Sequence, residues 1–127
     1  MNLKDPKMVV LAFNECINSC NIEGLAALMA EDCVFIDSGG GILSGKGKNL
    51  KGWLDFFAMF PDYRNHFSIL ESRGNEVMVI GHSTCSDERL NGPSLWKAVV
   101  ENDLIAEWRV LSDTPDERKK LDLPAGK

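Results

Sequence analysis

A change of hydrophobic period at Tyr63 constrains this chain more than any other feature. Before Tyr63 the apolar residues mostly recur at helical spacing, and after it they alternate with polar residues as in half-buried strands. Asp5 reads as an N-cap with Pro6 in the first helical position, opening a helix whose apolar face carries Val9, Phe13, Cys16, Ile17 and Cys20. Asn21 can cap a second helix, with Ile22, Leu25, Leu28 and Met29 on one face, ending near Glu31-Asp32. Cys33 to Asp37 is rich in strand formers and is stopped by Ser38-Gly39-Gly40-Gly41. A third helix is predicted over Lys48 to Phe60, with Leu50, Trp53, Leu54 and Phe57 at helical spacing and Pro61 as its stop.

Period-two segments follow at Tyr63 to Ser72, Val77 to Ser86, Ser94 to Glu101 and Leu104 to Leu111. The stretches between them, Arg73 to Glu76, Asp87 to Pro93 and Asn102-Asp103, carry turn residues that suit antiparallel neighbours. Helices first and a strand meander afterwards predict an α+β fold, with three N-terminal helices on one face of a curved antiparallel sheet. The concave side is where a ligand would sit.

With 127 residues, 44% of them hydrophobic, the chain has the size of one domain, with no staple required for a core. A net charge of −5 argues against nucleic acid and anionic lipid as partners. The short basic clusters Lys46/Lys48/Lys51 and Arg118/Lys119/Lys120 read as solvated faces. The start lacks the apolar run of a signal peptide, and Val9 to Phe13 is too short to span a bilayer, so a cytoplasmic protein is expected. Cys16, Cys20, Cys33 and Cys85 read as reduced core or pocket thiols, and neither His66 nor His82 shares metal-ligand spacing with them, so no metal site is expected. Gly40 to Lys46 matches the glycines and lysine of a phosphate loop, but the match fails at Gly47, where the metal-binding hydroxyl belongs.

The order of elements, together with Leu28 to Phe35 leading to Asp37, Leu43-Ser44-Gly45, Phe60-Pro61-Asp62 and Ile105-Ala106-Glu107-Trp108 followed by Asp113, resembles the nuclear transport factor 2-like superfamily. That superfamily includes ketosteroid isomerases and SnoaL-like polyketide cyclases. The Pro, Gly and Lys of Leu121 to Lys127 suggest a loose tail, and the resemblance implies a conical fold over nearly the whole chain, read as one domain over residues 1–120. It places Asp37 where the isomerases keep a general base and Asp113 near the late aspartate of the cyclases. It places Phe13 and Trp96 where the isomerases hold an oxyanion-binding tyrosine and a protonated acid, which argues against steroid isomerisation. No cofactor is implied.

Residue by residue, Phe35 and Asp37 share a face if the strand runs through both, which would put a carboxylate at the mouth of an apolar pocket; the alternative is an Asp-capped turn over Ser38 to Gly40. Trp53, Phe57, Trp96 and Trp108 could wall an aromatic or polycyclic ligand beside Phe13 and Phe35, or be plain core. His82 alternates with Met78 and Ile80, opposite the small-residue face Val79-Gly81-Ser83 that looks like room for a ligand. It therefore points outward, and serves as an acid/base partner of Asp37 or Asp113 only if that facing is reversed. The expected protein is a homodimer, joined through the open sheet face, that binds a small, largely apolar molecule. Its chemistry, if any, would be aspartate-mediated proton transfer, the rival being a non-catalytic binding or interaction module.

Overall fold

A computed structural model describes residues 5–124. Helix α1 (Pro6–Asn18) starts as the sequence predicts, with the Asp5 carboxylate accepting from Lys7 N at 2.9 Å and Pro6, which has no N–H, needing no acceptor. Helix α2 (Ile22–Ala27), capped by Asn21 on Gly24 N, is shorter than expected. Residues predicted to be its last turn belong instead to strand β1 (Met29–Ile36). Tertiary pairing overrides the local pattern here: β1 lies beside a later strand, and the Leu28 carbonyl accepts from Ile105 N at 2.7 Å.

Strand β2 (Ile42–Ser44) folds back on β1, and helix α3 (Lys46–Met59) begins two residues earlier than predicted. Gly45 stands before it at φ 98°, a conformation only glycine adopts cheaply, and it caps without a side chain. Asn49 does the anchoring from inside the helix. Its buried Nδ2 donates to the carbonyls of Gly45, Leu43 and Cys33 at 2.8, 3.1 and 3.2 Å, tying α3 to β2 and β1.

The meander comprises β3 (Arg64–Arg73), β4 (Glu76–Thr84), β5 (Gly92–Glu101) and β6 (Leu104–Ser112), close to the predicted ranges. A 3-10 turn, Glu88–Leu90, lies in the β4–β5 loop. The sheet order is β2-β1-β6-β5-β4-β3. It is mixed rather than wholly antiparallel, because β1 runs parallel to β6, a pairing made possible by the long helical and hairpin crossover between them.

The helices cover one face. Val9, Val10, Phe13 and Ile17 of α1 and Leu25 of α2 are buried against Val77, Val79, Trp96, Ala98, Ile105 and Trp108 of the sheet, and the Phe13 and Trp108 rings lie 4.8 Å apart. A second, smaller core forms on the opposite face. Helix α4 (Pro115–Lys120) follows β6, and Leu123 beyond it is buried on Met78, Ile80 and Leu95. The expectation of a loose tail from Leu121 is therefore corrected for residues up to Pro124, and of the basic cluster at 118–120 only Arg118 leaves solvent, Lys119 and Lys120 being exposed as expected; residues 125–127 lie outside those described. The signal was present in the sequence: Thr114 caps Glu117 N, Pro115 stands first, acids fill the first turn and bases the last.

Candidate functional site

Between α3 and the concave sheet lies a cavity of about 230 Å³, lined by Phe35, Leu43, Gly52, Trp53, Phe56, Trp96, Trp108, Val110 and Leu90, with Asn49, Tyr63 and Asn65 as its polar members. Strand alternation explains the sheet side. Phe35 pairs with Leu43 and Trp108, and Trp96 pairs with Val110, so one face of four strands points inward. On α3, Asn49, Gly52, Trp53 and Phe56 follow helical spacing toward the same space. Trp53 makes edge-on contacts with Phe35 and Phe56, at centroid distances of 6.0 and 5.8 Å.

A polar chain runs along the β3–β4 wall. Asn18 of α1 accepts from Asn65 N at 2.7 Å and donates to Asn65 O at 2.9 Å, which fixes that stretch of β3 to the helix. Ser83 Oγ donates to Asn65 Oδ1 at 2.8 Å, and Tyr63 OH lies 3.1 Å from Ser83 Oγ. Burial pushes the Tyr63 phenol above its ordinary range, an effect only partly opposed by the Ser83 hydrogen bond, so it is neutral at physiological pH.

Beyond the apolar cavity lies a polar recess lined by Ser38, Ser83, Arg89, Asn91, Ser94 and Ser112. Tyr63, Leu90 and Val110 line both spaces. The loop carrying Leu90 is pinned at its base: Asp62 accepts from Ser86 N and Oγ and from the Cys85 thiol, and Asn91 bonds both backbone groups of Cys85. Those hydrogen bonds from Ser86 and Cys85 hold the Asp62 carboxyl below the usual range.

Phe35, Trp53, Trp96 and Trp108 line the cavity as expected, whereas Phe13 and Phe57 lie in the core beside it. Asp37 is not in the cavity. Strand β1 ends at Ile36, and the Asp37 carboxylate turns back to accept from Gly39 N and Gly41 N, each at 2.9 Å, so it holds the exposed turn instead. Asp113 is likewise outside, in a bidentate pair with Arg118 at 2.6 and 2.8 Å. The Arg118 hydrogen bonds hold its carboxyl below the ordinary aspartate range. His82 faces outward, as the alternation predicts, with its ring stacked on His66 at 4.7 Å.

The small-residue face of β4 also has another explanation. Gly81 sits under the His66 carbonyl at the β3 bulge, where a Cβ would collide with backbone, and Ser83 supplies the hydrogen-bonded chain. Sequence reading missed Asn49, Phe56, Tyr63, Asn65 and Leu90, whereas the alternation that turns Trp108 inward takes Val110 with it. The alternation Tyr63-Asn65-Phe67 and an asparagine on the apolar face of α3 were the available signals. Among the described residues no cluster of three or more His, Cys, Asp or Glu could hold a metal ion. No described helix is long and apolar enough to cross a membrane.

The fold places the chain among the conical, cystatin-like α+β proteins. An uncharacterised cystatin-fold protein from Novosphingobium aromaticivorans superposes with a TM-score of 0.75 at 17% identity, covering 86% of this chain and 99% of that one. An LEH-like epoxide hydrolase from M. tuberculosis gives 0.74 at 16% identity, covering 91% and 88%. IdmH from Streptomyces antibioticus, described provisionally as a polyketide cyclase, gives 0.73 at 19% identity, covering 94% and 100%. At these identities the likeness establishes the fold alone. The sequence profile of the SnoaL-like domain matches residues 10–113, so the chain belongs to the SnoaL-like family. No curated protein matches it in sequence.

Proposed function

We propose that this SnoaL-like protein binds a small, largely apolar, aromatic molecule in the cavity between α3 and the sheet. The observation that supports the reading is the composition of the wall: three tryptophans and two phenylalanines around about 230 Å³, with only uncharged polar groups among the lining residues. Planar apolar ligands gain most from such a wall, through area burial and offset ring contacts. Both aspartates expected to move protons are engaged elsewhere, in the 37–41 turn and with Arg118, so the binding reading is favoured over aspartate-mediated catalysis. Self-association through the outer sheet face belongs to the same proposal, restricted to the part that Leu121 and Leu123 leave uncovered; sedimentation at several concentrations tests it.

The test is a titration of ¹⁵N-labelled protein with naphthalene, followed through the indole N–H signals of Trp53, Trp96 and Trp108. Saturable shifts in all three, lost when Val110→Trp fills the cavity, are the expected result. Absence of any saturable indole shift in the unaltered protein overturns the proposal.

A further inference from the structure

The outer face of the β3–β4 pair carries two imidazoles side by side. His66 and His82 are direct partners in the antiparallel ladder, both are exposed, and their rings stack at a centroid distance of 4.7 Å with 20° between the planes. Their backbone positions are fixed relative to each other, because Gly81, next to His82, lies so close under the His66 carbonyl that a Cβ there would collide with it. Neighbouring groups leave the pair uncontested. Pro93 stands opposite His82 on β5 without a side-chain donor or charge, and Arg64, two residues before His66, turns its guanidinium onto the carbonyls of Pro61 and Tyr63 at 3.1 and 2.8 Å. Of the ring nitrogens, His66 Nε2 is engaged, 2.9 Å from Thr84 Oγ1. A neutral imidazole has one N–H and one lone pair, so when Nε2–H donates to Thr84 the lone pair of His66 stands on Nδ1. A partner on the far ring nitrogen is what orients a histidine ligand in a metal centre. The His82 ring has no hydrogen-bond partner among the described residues.

We propose that His66 and His82 together chelate one divalent late transition-metal ion on the outer sheet face, with water completing the coordination sphere. Imidazole nitrogen suits copper, nickel and zinc, whereas Mg²⁺ and Ca²⁺ prefer oxygen, and the order of affinity puts Cu²⁺ above Ni²⁺ and Zn²⁺. With two protein ligands the site falls below the three-residue clusters that the described residues lack, which makes it an open site and not a closed structural one. Closing on the ion takes the rings out of their stack, since a bound metal lies in the plane of each ring. The torsion about Cβ–Cγ of a histidine is soft, and both rings are exposed, so that movement is unobstructed on the solvent side. Strand alternation puts Asn65 and Ser83 on the inner face and His66 and His82 on the outer one, so the metal site is separate from the cavity and independent of the binding proposal above.

The probe is Ni²⁺, which, unlike Cu²⁺, does not oxidise the free thiols of Cys16, Cys20, Cys33 and Cys85. It is titrated into the full chain by calorimetry at neutral pH, and the ion is located by paramagnetic broadening of the amide signals. One equivalent of Ni²⁺ per chain, with broadening centred on His66 and His82, is the expected result. Either His66→Gln or His82→Gln should lower the affinity by about tenfold or more, because a single imidazole lacks the second, intramolecular ligand. Both replacements are at exposed positions, and an unchanged melting temperature without metal confirms that each variant is folded. The proposal is overturned if Ni²⁺ does not bind at millimolar concentration, or if each single variant keeps the affinity and only halves the stoichiometry, as two independent imidazoles would. Broadening centred on a cysteine overturns it as well. So does a Ni²⁺-dependent dimer in sedimentation, which would place the ion between two chains instead of between β3 and β4 of one.

Discussion

Arg118 holds both carboxylate oxygens of Asp113, through Nε at 2.6 Å and Nη2 at 2.8 Å, while its Nη1 donates to the Pro124 carbonyl at 3.0 Å. One side chain therefore joins the end of β6, helix α4 and the closing segment. Arg73 grips the same segment from β3, donating to the carbonyls of Leu121 and Asp122. These contacts turn a polar tail into a cover for the outer sheet face.

Asp113→Asn is expected to cost about 1–2 kcal/mol at neutral pH, because a largely buried, charge-assisted pair loses its charge. Arg118 depresses the Asp113 pKa in the folded protein. The stabilisation is therefore complete above the unfolded value near 4 and is lost as pH falls through the lower folded value. Melting curves should show a gap between the two proteins at pH 7 that narrows below about pH 4. A gap that persists or widens in acid would refute the assignment.

Asp37→Asn should leave naphthalene affinity within about twofold and the melting temperature nearly unchanged, since an amide oxygen can still accept from Gly39 and Gly41. Asp37→Ala should destabilise the turn while still leaving ligand affinity alone. Gly41→Ala is expected to act like the alanine variant, because its Cβ would stand 2.6 Å from Asp37 Oδ2. Loss of binding in Asp37→Asn would return this residue to the site.

Gly81→Ala places a methyl against the His66 carbonyl, a backbone group that cannot turn aside. The expected cost is about 1–3 kcal/mol, accompanied by loss of amide protection around the Phe67–Ile69 bulge in hydrogen exchange. Unchanged stability would mean that the bulge shifts freely.

Leu123→Ala should cost about 2–3 kcal/mol in denaturant unfolding, by removing the side chain that covers Met78, Ile80 and Leu95. Leu123→Asp should cost more and increase concentration-dependent association, visible by light scattering, as the uncovered apolar face seeks another partner. Neutral behaviour of both variants would show that the closing segment does not cover the face in solution.

Cys33 should be the slowest thiol toward a disulfide reagent at pH 8. Burial, reinforced by the Asp32 charge, pushes it up to about 11, leaving roughly one thiolate in a thousand at that pH. Cys85 and Cys20, which are only partly buried, are expected to react first. Rapid modification of all four in the native protein would contradict the packing of β1.

The hydrophobic period determined much of this molecule by itself. The N-cap at Asp5 and the Pro61 stop mark helix boundaries through local chemistry, and the turn residues near Gly74 and Asn102 set the meander. Alternation alone also put Trp96 and Trp108 on the inner face and His82 on the outer one. Tertiary structure decided the rest, because the deciding partners are distant in sequence. Residues 29–32 are strand and not helix because β6 supplies hydrogen bonds from some seventy-five residues away. Asp37 leaves the pocket because three glycines let the chain fold back so that its carboxylate meets backbone N–H groups before it can meet a ligand. Tyr63, Ser83 and Asn65 look like ordinary strand residues until the fold brings them together in one hydrogen-bonded chain beside the cavity.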